Sequence, residues 1–240
     1  DSVFYMGKDN YLNGKLTAVL SEQKNVIIGS DGLFSFNIWI RTADVHLIYD
    51  SNTKRRLNDS RSIFIGDHVW IGQGALVLKG TQVGSGSIIG ASSVVSGKII
   101  ESNTSYAGNP AKKITEDIFF TGNSVHAYRE KETKKHELYE GDNYIYQLSE
   151  DTLSFKDIEG RLTSISLAAD KLDYLKSTFK NNKNRFFIGK KDSKQNRFTR
   201  MKRLFLGVAM AVATLVGLSS CERGGEDVKQ SGIIIYDSEI

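Results

Sequence analysis

The chain has 240 residues, of which 40% are apolar and 25% are charged, a balance typical of a globular protein with a buried core. Its formal net charge is only +4 and its basic clusters lack interleaved aromatic residues, so the composition argues against nucleic-acid binding. Cys221 is the single cysteine, which excludes an intrachain disulfide.

The first 25 residues carry a weak alternating pattern and an Asn13-Gly14 turn signal, which predicts an irregular first coil. A six-residue period then begins, with Ile28, Phe34, Ile40 and His46 in phase. We therefore expect His46 to occupy a ladder position where an aliphatic residue belongs. Histidine is the side chain best suited to accept a proton near neutral pH, although a histidine on an apolar face is more often a packing residue.

Asp44 lies two residues before His46, and the alternation of a strand would place both on one face, where the carboxylate could orient the imidazole. The period lapses over residues 47–64, which are polar and basic, and this indicates a loop leaving a corner. Four cations of this loop form a candidate site for an anionic ligand: Lys54, Arg55, Arg56 and Arg61. A solvated charged loop is the alternative.

The strongest pattern of the chain is an aliphatic residue at every sixth position of the next stretch: Ile65, Ile71, Val77, Val83, Ile89 and Val95. This period fits neither a helix nor a single strand, and it predicts a hexapeptide parallel β-helix in which three short strands close each coil. The recurring residues would form buried ladders along the axis. Trp70, at the end of one repeat, supplies a flat apolar surface at a corner.

The coil is expected to end at the turn 107–110, which gives a β-helix domain over residues 1–116. Residues 117–200 lack the period and predict an α+β extension, with a strand-like segment at 142–148 and a helix from Leu167 to Phe179. The fold class expected is thus an all-β core with a C-terminal α+β extension.

Residues 201–240 begin with a basic and then apolar run that resembles a bacterial lipoprotein signal ending at Cys221. Because such signals begin proteins, the simplest interpretation is a segment fused from an adjacent gene. The alternative is a membrane anchor at 204–220, which is short for a spanning helix. Both interpretations leave the coil domain in the cytoplasm, at the inner face of the membrane in the second case.

The chain resembles the hexapeptide-repeat acyltransferases in its repeats at 28–46 and 65–95, in the stretches F-S-F-N-x-W-I-R-T-A-D-x-H-x-I-Y-D and D-H-V-W-I-G, and in the ending A-G-N-P-A-K-K-I. Within that family the chain is most similar to bacterial capsule and sialic acid O-acetyltransferases. The resemblance implies a left-handed parallel β-helix. It also implies transfer of an acetyl group from acetyl-CoA to a hydroxyl of a sugar or polysaccharide, in a homotrimer with sites between subunits.

The same resemblance assigns roles to residues of this chain. It places the catalytic histidine at His46 and the family's tryptophan at Trp70. It places contacts to acetyl-CoA at Gln73, Ala91, Ser96, Gly97 and Lys112. Many members have Thr-Lys where this chain has Ser96-Gly97, and the lysine of this chain, Lys98, comes one position later. Asp44, Arg55 and Arg56 are the candidate substrate contacts.

Three other functions are weighed against this one. An amino-sugar N-acetyltransferase would need less help from a base, and a non-catalytic coil would use His46 and Trp70 for packing alone. A zinc enzyme needs three or four converging ligands, and only His46 and His68 lie in the coil, in different phases of the repeat. We therefore expect no metal.

Overall fold

The structure is a computed structural model that describes residues 1–181, 184–190 and 232–236. The chain divides into two units, one of Asp1–Ile188 with Ser231–Ile240 and one of Gly189–Gln230. The signal-like run 201–221 and the proposed anchor 204–220 lie outside the described residues. Within the described part, no helix is long and apolar enough to cross a membrane.

Three sheets form the walls of the coil in the first unit. Sheet 1 consists of β1 (Ser2–Met6), β4 (Val26–Ile28), β7 (Ile63–Ile65), β10 (Gln82–Val83) and β13 (Ile99–Ile100). Sheet 2 consists of β2 (Tyr11–Leu12), β5 (Leu33–Phe34), β8 (Trp70–Ile71), β11 (Ile88–Ile89), β14 (Thr104–Ala107) and β15 (Lys112–Glu116). Sheet 3 consists of β3 (Leu16–Val19), β6 (Ile38–Arg41), β9 (Leu76–Leu78) and β12 (Val94–Ser96).

Each coil takes one strand from each sheet, and all pairings between coils are parallel. Ile65 pairs with Val83, and Val77 pairs with Val95, so one regular coil spans eighteen residues, or three hexads. The predicted ladders are buried: Ile28, Phe34, Ile40, Ile65, Ile71, Val77, Val83, Ile89 and Val95 are all at most 1% exposed. The predicted parallel β-helix is confirmed, and residues 1–25 form its first coil.

Glycines beside the ladder residues allow the coils to approach each other. A Cβ on Gly66 would lie 2.6 Å from the backbone N of Ser85, and one on Gly72 would lie 2.5 Å from that of Ala91. These contacts are shorter than van der Waals distance, so the absence of a side chain, rather than a positive φ, explains these two glycines.

A different set of residues makes the three corners. Corner 1, between sheets 1 and 2, has one residue with positive φ in every coil: Asp9, Asp31, His68, Gly86 and Asn103. Corner 2, between sheets 2 and 3, has Asn37, Gly74, Ser92 and Gly108. Corner 3, between sheets 3 and 1, has Gly80 and Gly97 in its last two turns. The left-handed region favours Gly, Asn and Asp, which accounts for most of these residue types.

The extension begins after β15, which pairs with β14 in the antiparallel direction. It contains three helices within the described residues: α1 (Glu130–Lys135), α2 (Phe155–Ser164) and α3 (Ala168–Asn181). α3 confirms the helix predicted near Leu167 to Phe179. The strand predicted at 142–148 is wrong, because the backbone N–H and C=O of Tyr146 are hydrogen-bonded to the side chain of Asn103 at corner 1 instead of to a neighbouring strand.

Helices α2 and α3 cover the outer face of sheet 1. Val3, Tyr5, Ile27 and Phe64 point outward from the coil and form a second core with the apolar faces of the helices. The strands of sheet 1 are therefore buried on both faces, which explains their continuous apolar sequences such as Ile63–Ile65. A further strand, β16 (Gly232–Tyr236), pairs in parallel with the edge strand β1. This pairing was not predicted, because residues 201–240 were interpreted as a segment fused from an adjacent gene.

Candidate active site

An insertion of about twenty residues leaves the coil at corner 3 and carries His46. β6 ends at Arg41 and the chain rejoins sheet 1 at Ile63, so residues 42–62 form an insertion loop. The expectation that His46 continues the ladder is wrong, because Ile65 takes the place next to Ile28 in sheet 1. His46 is exposed on the loop instead, which leaves its imidazole accessible to a substrate.

Asn58 fixes the backbone around His46. Its Nδ2 donates to the carbonyl oxygen of His46 at 2.7 Å, and its Oδ1 accepts from the backbone N of Ile48 at 2.9 Å. Asn58 is buried, so these bonds are shielded from water and stabilise the loop more than exposed ones would. The loop is therefore a defined structure that presents His46 from a rigid corner.

Asp44 does not contact the imidazole of His46. Its Oδ2 accepts a hydrogen bond from Lys79 Nζ at 2.6 Å, and the Lys79 ammonium holds the pKa of the Asp44 carboxyl below its usual range. In a single chain, among the described residues, no hydrogen bond orients the His46 side chain. The role assigned to Asp44 stays a prediction, and its observed contact is with the next coil.

Two of the four cations of the insertion loop, Lys54 and Arg56, have partners within the described residues. Arg56 forms two hydrogen bonds to Glu22, at 2.6 Å and 2.8 Å, and Lys54 Nζ donates to the carbonyl oxygen of Ser51. The Arg56 guanidinium, assisted by Ser60, lowers the pKa of the Glu22 carboxyl to about 2. Arg56 thus anchors the loop to corner 3, whereas Arg55 is exposed.

Arg61 lies where the loop rejoins the coil, over the two glycines of corner 3. A Cβ on Gly80 would lie 2.9 Å from Arg61 Cζ, and one on Gly97 would lie 3.4 Å from its Nη2. The guanidinium therefore occupies space that larger residues at these two positions would fill. Within the described residues, Arg61 forms no salt bridge with a carboxylate.

A cavity of about 500 Å³ opens beside this arginine and the loop. Its lining combines charged groups with apolar ones: Asp44, Ile48, Leu57, Asn58, Asp59, Arg61 and Lys79. Asp44 is paired with Lys79 and Asp59 lies 4.0 Å from Arg56 Nε, so Arg61 is the charged lining residue for which the described residues show no ion pair. The structure thus places Arg61 and the loop that carries His46 around one cavity. The sequence alone did not distinguish Arg61 from the other cations of the loop.

Trp70 lies on a different side of the coil. It begins β8 and points outward from sheet 2 with 41% of its surface exposed, between Leu33 and Ile88 of the adjacent coils. Its indole contacts the ring of Phe120 from the extension, with 5.9 Å between centroids. His46 and Trp70 therefore lie at opposite edges of sheet 1, whose outer face the helices cover.

The five residues assigned to acetyl-CoA are all exposed, and four of them fall on two corners. Gln73 and Ala91 lie at corner 2 of consecutive coils, where Gln73 O accepts from the backbone N of Ser92 at 2.7 Å. Ser96 and Gly97 lie at corner 3, and Lys112 begins β15. Sheet 3 joins the two corners, so an extended ligand lying on this sheet would reach both.

Sequence reasoning missed Trp39, which lies on the outer face of sheet 3. It is 40% exposed, and the guanidinium of Arg41 lies 5.4 Å from its ring centroid. Its register partner Leu76 extends the apolar surface along the sheet. The alternation of exposed and buried residues in β6 is the signal that could have identified it. Ile38 and Ile40 point inward, so Trp39 between them must point outward.

Comparison with known proteins supports the repeat directly. Residues 62–97 match the family model described as bacterial transferase hexapeptide (six repeats). The resemblance to hexapeptide-repeat acyltransferases is confirmed. The fold class is accordingly a left-handed parallel β-helix of hexapeptide repeats with a C-terminal α+β extension.

Two curated relatives share part of the coil. A polysialic acid O-acetyltransferase of Escherichia coli O1:K1 / APEC is 40% identical over 102 residues, which cover 42% of this chain and 33% of the relative. A polysialic acid O-acetyltransferase of Neisseria meningitidis is 34% identical over 58 residues, which cover 24% of this chain and 26% of the relative. The chain thus spans a third or less of the length of these relatives.

A solved structure is also similar to the chain. The polysialic acid O-acetyltransferase OatWY is 25% identical and gives a TM-score of 0.43, with 58% of this chain and 72% of that chain covered.

Proposed function

We propose that this protein transfers an acetyl group from acetyl-CoA to a hydroxyl group of a sugar, with an acidic sugar such as a sialic acid polymer as the acceptor. The observation that carries the proposal is the exposed His46 on the insertion loop, whose backbone carbonyl is held by the cavity-lining Asn58, on a coil whose repeats match a bacterial transferase family model. The names of the two curated relatives support the acceptor class.

In the proposed mechanism, His46 acts as a general base. Its imidazole takes the proton of the acceptor hydroxyl while the hydroxyl oxygen attacks the thioester carbonyl carbon. A backbone N–H would stabilise the oxyanion that forms. The C–S bond then breaks, the acetyl ester remains on the sugar, and the CoA thiolate takes the proton back from the imidazolium. No residue of the protein is acylated.

The geometry favours a site built by two copies of the chain. Corners 3 and 1 are separated by sheet 1 and its helices, so His46 and Trp70 of one chain do not face each other. The insertion loop also exposes apolar side chains that a second copy would cover: Val45, Leu47, Ile48, Tyr49 and Leu57. Exposed patches of this kind mark interaction surfaces. A homotrimer with sites between subunits is part of this proposal.

Arg61 is the residue we propose to bind the acidic group of the acceptor. Its forked guanidinium suits a carboxylate and it lines the cavity, and none of the residues that the structure describes pairs with it as Glu22 pairs with Arg56. Arg55 is exposed at the loop surface and would contribute less, since exposed charges are screened by salt.

The first test measures CoA release by the full chain with acetyl-CoA and a panel of acceptors: polysialic acid, sialic acid, neutral hexoses and glucosamine. His46→Asn is expected to lower the turnover by roughly 100-fold or more, because a general base contributes about 10²–10⁴-fold. His126→Asn, an exposed histidine of the extension, is the matched control and is expected to leave activity unchanged. Activity of His46→Asn within about tenfold of the parent would contradict the assignment.

The second test compares three single variants with polysialic acid as acceptor. Arg61→Gln is expected to raise the acceptor KM by roughly ten- to a hundredfold, as for a charge-assisted contact, with little change in the KM for acetyl-CoA. Arg55→Gln is expected to have a small effect, and Arg56→Gln to affect loop stability first. An effect on the KM for acetyl-CoA alone would assign Arg61 to a phosphate of the donor instead.

A further inference from the structure

His68 stands out among the corner residues. The other coils place Asp9, Asp31, Gly86 or Asn103 at the same position of corner 1, types that adopt positive φ readily. His68 has φ of 50° there, in the left-handed region where His, like Asn and Asp, occurs more often than most residues. It differs from the small residues of the other coils in carrying an aromatic ring, and it is only 3% exposed. A buried aromatic histidine at a repeated position points to a role that the other coils do not share.

The contacts of His68 tie the extension to the coil. Its ring is stacked between Phe120, at 4.0 Å and 9°, and Tyr144, at 4.3 Å and 13°. Its Nε2 hydrogen-bonds the carbonyl oxygen of Phe120 at 2.9 Å, and its Nδ1 bonds Asp31 Oδ2 at 2.7 Å. One side chain thus fixes both the ring and the backbone of Phe120.

Phe120 in turn borders Trp70. Its ring is 8% exposed and lies between the His68 imidazole and the Trp70 indole, which its centroid approaches to 5.9 Å. Trp70 projects from a two-residue strand and its outer side faces solvent, so the coil alone leaves its side-chain torsions free to change. Phe120 is the aromatic ring that limits this freedom among the described residues.

We infer that His68 and Phe120 are positioning residues for Trp70, so that the extension shapes the site which the coil carries. The expected loss of acetyl transfer rests on the proposed function. The expected change in the orientation of Trp70 does not. Asp31 orients His68, His68 holds Phe120 by stacking and by a hydrogen bond, and Phe120 sets the orientation of the indole. Small displacements of substrate-contacting groups cost roughly up to a hundredfold in rate, so loss of this chain of contacts should reduce transfer.

The test uses fluorescence of Trp70 in the full chain. The chain has two tryptophans, so Trp39→Phe leaves Trp70 as the single indole emitter. In this background Phe120→Ala is expected to shift Trp70 emission to the red and to raise its quenching by acrylamide. Phe119→Ala is the matched control, because Phe119 contacts Tyr139 and is expected to leave both values unchanged.

His68→Asn provides a second variant that keeps the corner intact, since Asn103 occupies the equivalent position at φ of 56°. It removes both ring stacks and is expected to change Trp70 emission in the same direction as Phe120→Ala. Phe120→Tyr keeps the ring and is expected to restore the emission of the parent. In each case circular dichroism checks that the coil is folded.

The kinetic arm measures acetyl transfer by the same variants without the Trp39 substitution. Phe120→Ala and His68→Asn are expected to lower kcat/KM by roughly ten- to a hundredfold, and Phe119→Ala to leave it unchanged. Equal quenching in Phe120→Ala and Phe119→Ala, or unchanged kcat/KM despite altered quenching, would overturn the inference. An inactive parent would instead overturn the proposed function, while the fluorescence comparison would still decide whether Phe120 holds Trp70.

Discussion

The buried ion pair between Arg185 and Asp67 is expected to determine how firmly the extension holds the coil. Arg185 Nε lies 2.7 Å from Asp67 Oδ2 and its Nη2 lies 2.9 Å from Asp67 Oδ1, with the two side chains 10% and 9% exposed. Arg185 also donates to Ser30 Oγ and to the carbonyl oxygen of Phe179. These contacts join corner 1 to the segment that follows α3.

Arg185→Met removes one partner and leaves a carboxylate in a site with little water. Within the described part of the chain, Asp67 would keep one donor to its side chain, the backbone N–H of Ser30 at 2.7 Å. Removing one member of a buried pair typically costs about 3–5 kcal/mol, a large part of the 5–15 kcal/mol that stabilises a domain. Adding Asp67→Asn removes the charge, so the double variant is expected to recover part of the loss.

Urea unfolding of the full chain, followed by circular dichroism at a fixed protein concentration, measures the free energy of unfolding of each variant. The control is Lys134→Met, which breaks an exposed pair with Glu130 on α1 and is expected to change the midpoint little. A loss below about 1 kcal/mol in Arg185→Met, or a double variant less stable than the single one, would refute the reasoning.

Two further predictions follow from the loop and the helices. The pKa of Glu22 is about 2, below its ordinary 4.5, so its pairing with Arg56 stabilises the loop above about pH 4.5 and is lost as the pH falls toward 2. Hydrogen exchange of the 42–62 amides, corrected for intrinsic exchange, should therefore rise over this range in the parent. The rise should be smaller in Glu22→Gln, where Asp44 and Asp50, whose pKa values are also lowered, still titrate. Gly160→Ala, within α2 and with open space at its Cβ, should raise the free energy of unfolding by about 0.5–1 kcal/mol, whereas Gly66→Ala should lower it because its Cβ would meet the backbone of the next coil.

The coil could be predicted from sequence because each ladder residue repeats one physical condition, a side chain that points to the axis. Ile65 to Val95 meet this condition without interruption, and the structure buries all six ladder residues of the stretch. His46 has the same six-residue spacing, but its side chain does not point to the axis. Spacing alone does not reveal where the chain leaves the corner, since Thr42 and Ala43 give no turn signal.

The contacts of the extension were beyond sequence reasoning for a different reason. Arg185 and Asp67 are 118 residues apart, and His68 and Phe120 are 52 apart, so no local pattern links them. Helix α3 was predictable from its own apolar face, but the surface it covers was not. The outward residues Ile27 and Phe64 were a usable signal, because apolar side chains on both faces of sheet 1 require a covering layer.

The placement of the insertion loop and the extension on separate corners limits how the site can be assembled. Helices α2 and α3 cover sheet 1, and Phe120 with β15 occupies part of sheet 2, whereas sheet 3 with Trp39 stays exposed in the described chain. The residues assigned to acetyl-CoA lie at the two edges of this exposed sheet, at Gln73 and at Gly97. A second copy that brings its Trp70 toward the His46 loop would therefore approach from the side that the extension leaves open. Under the proposed function, the extension therefore restricts which face of the coil can form the site.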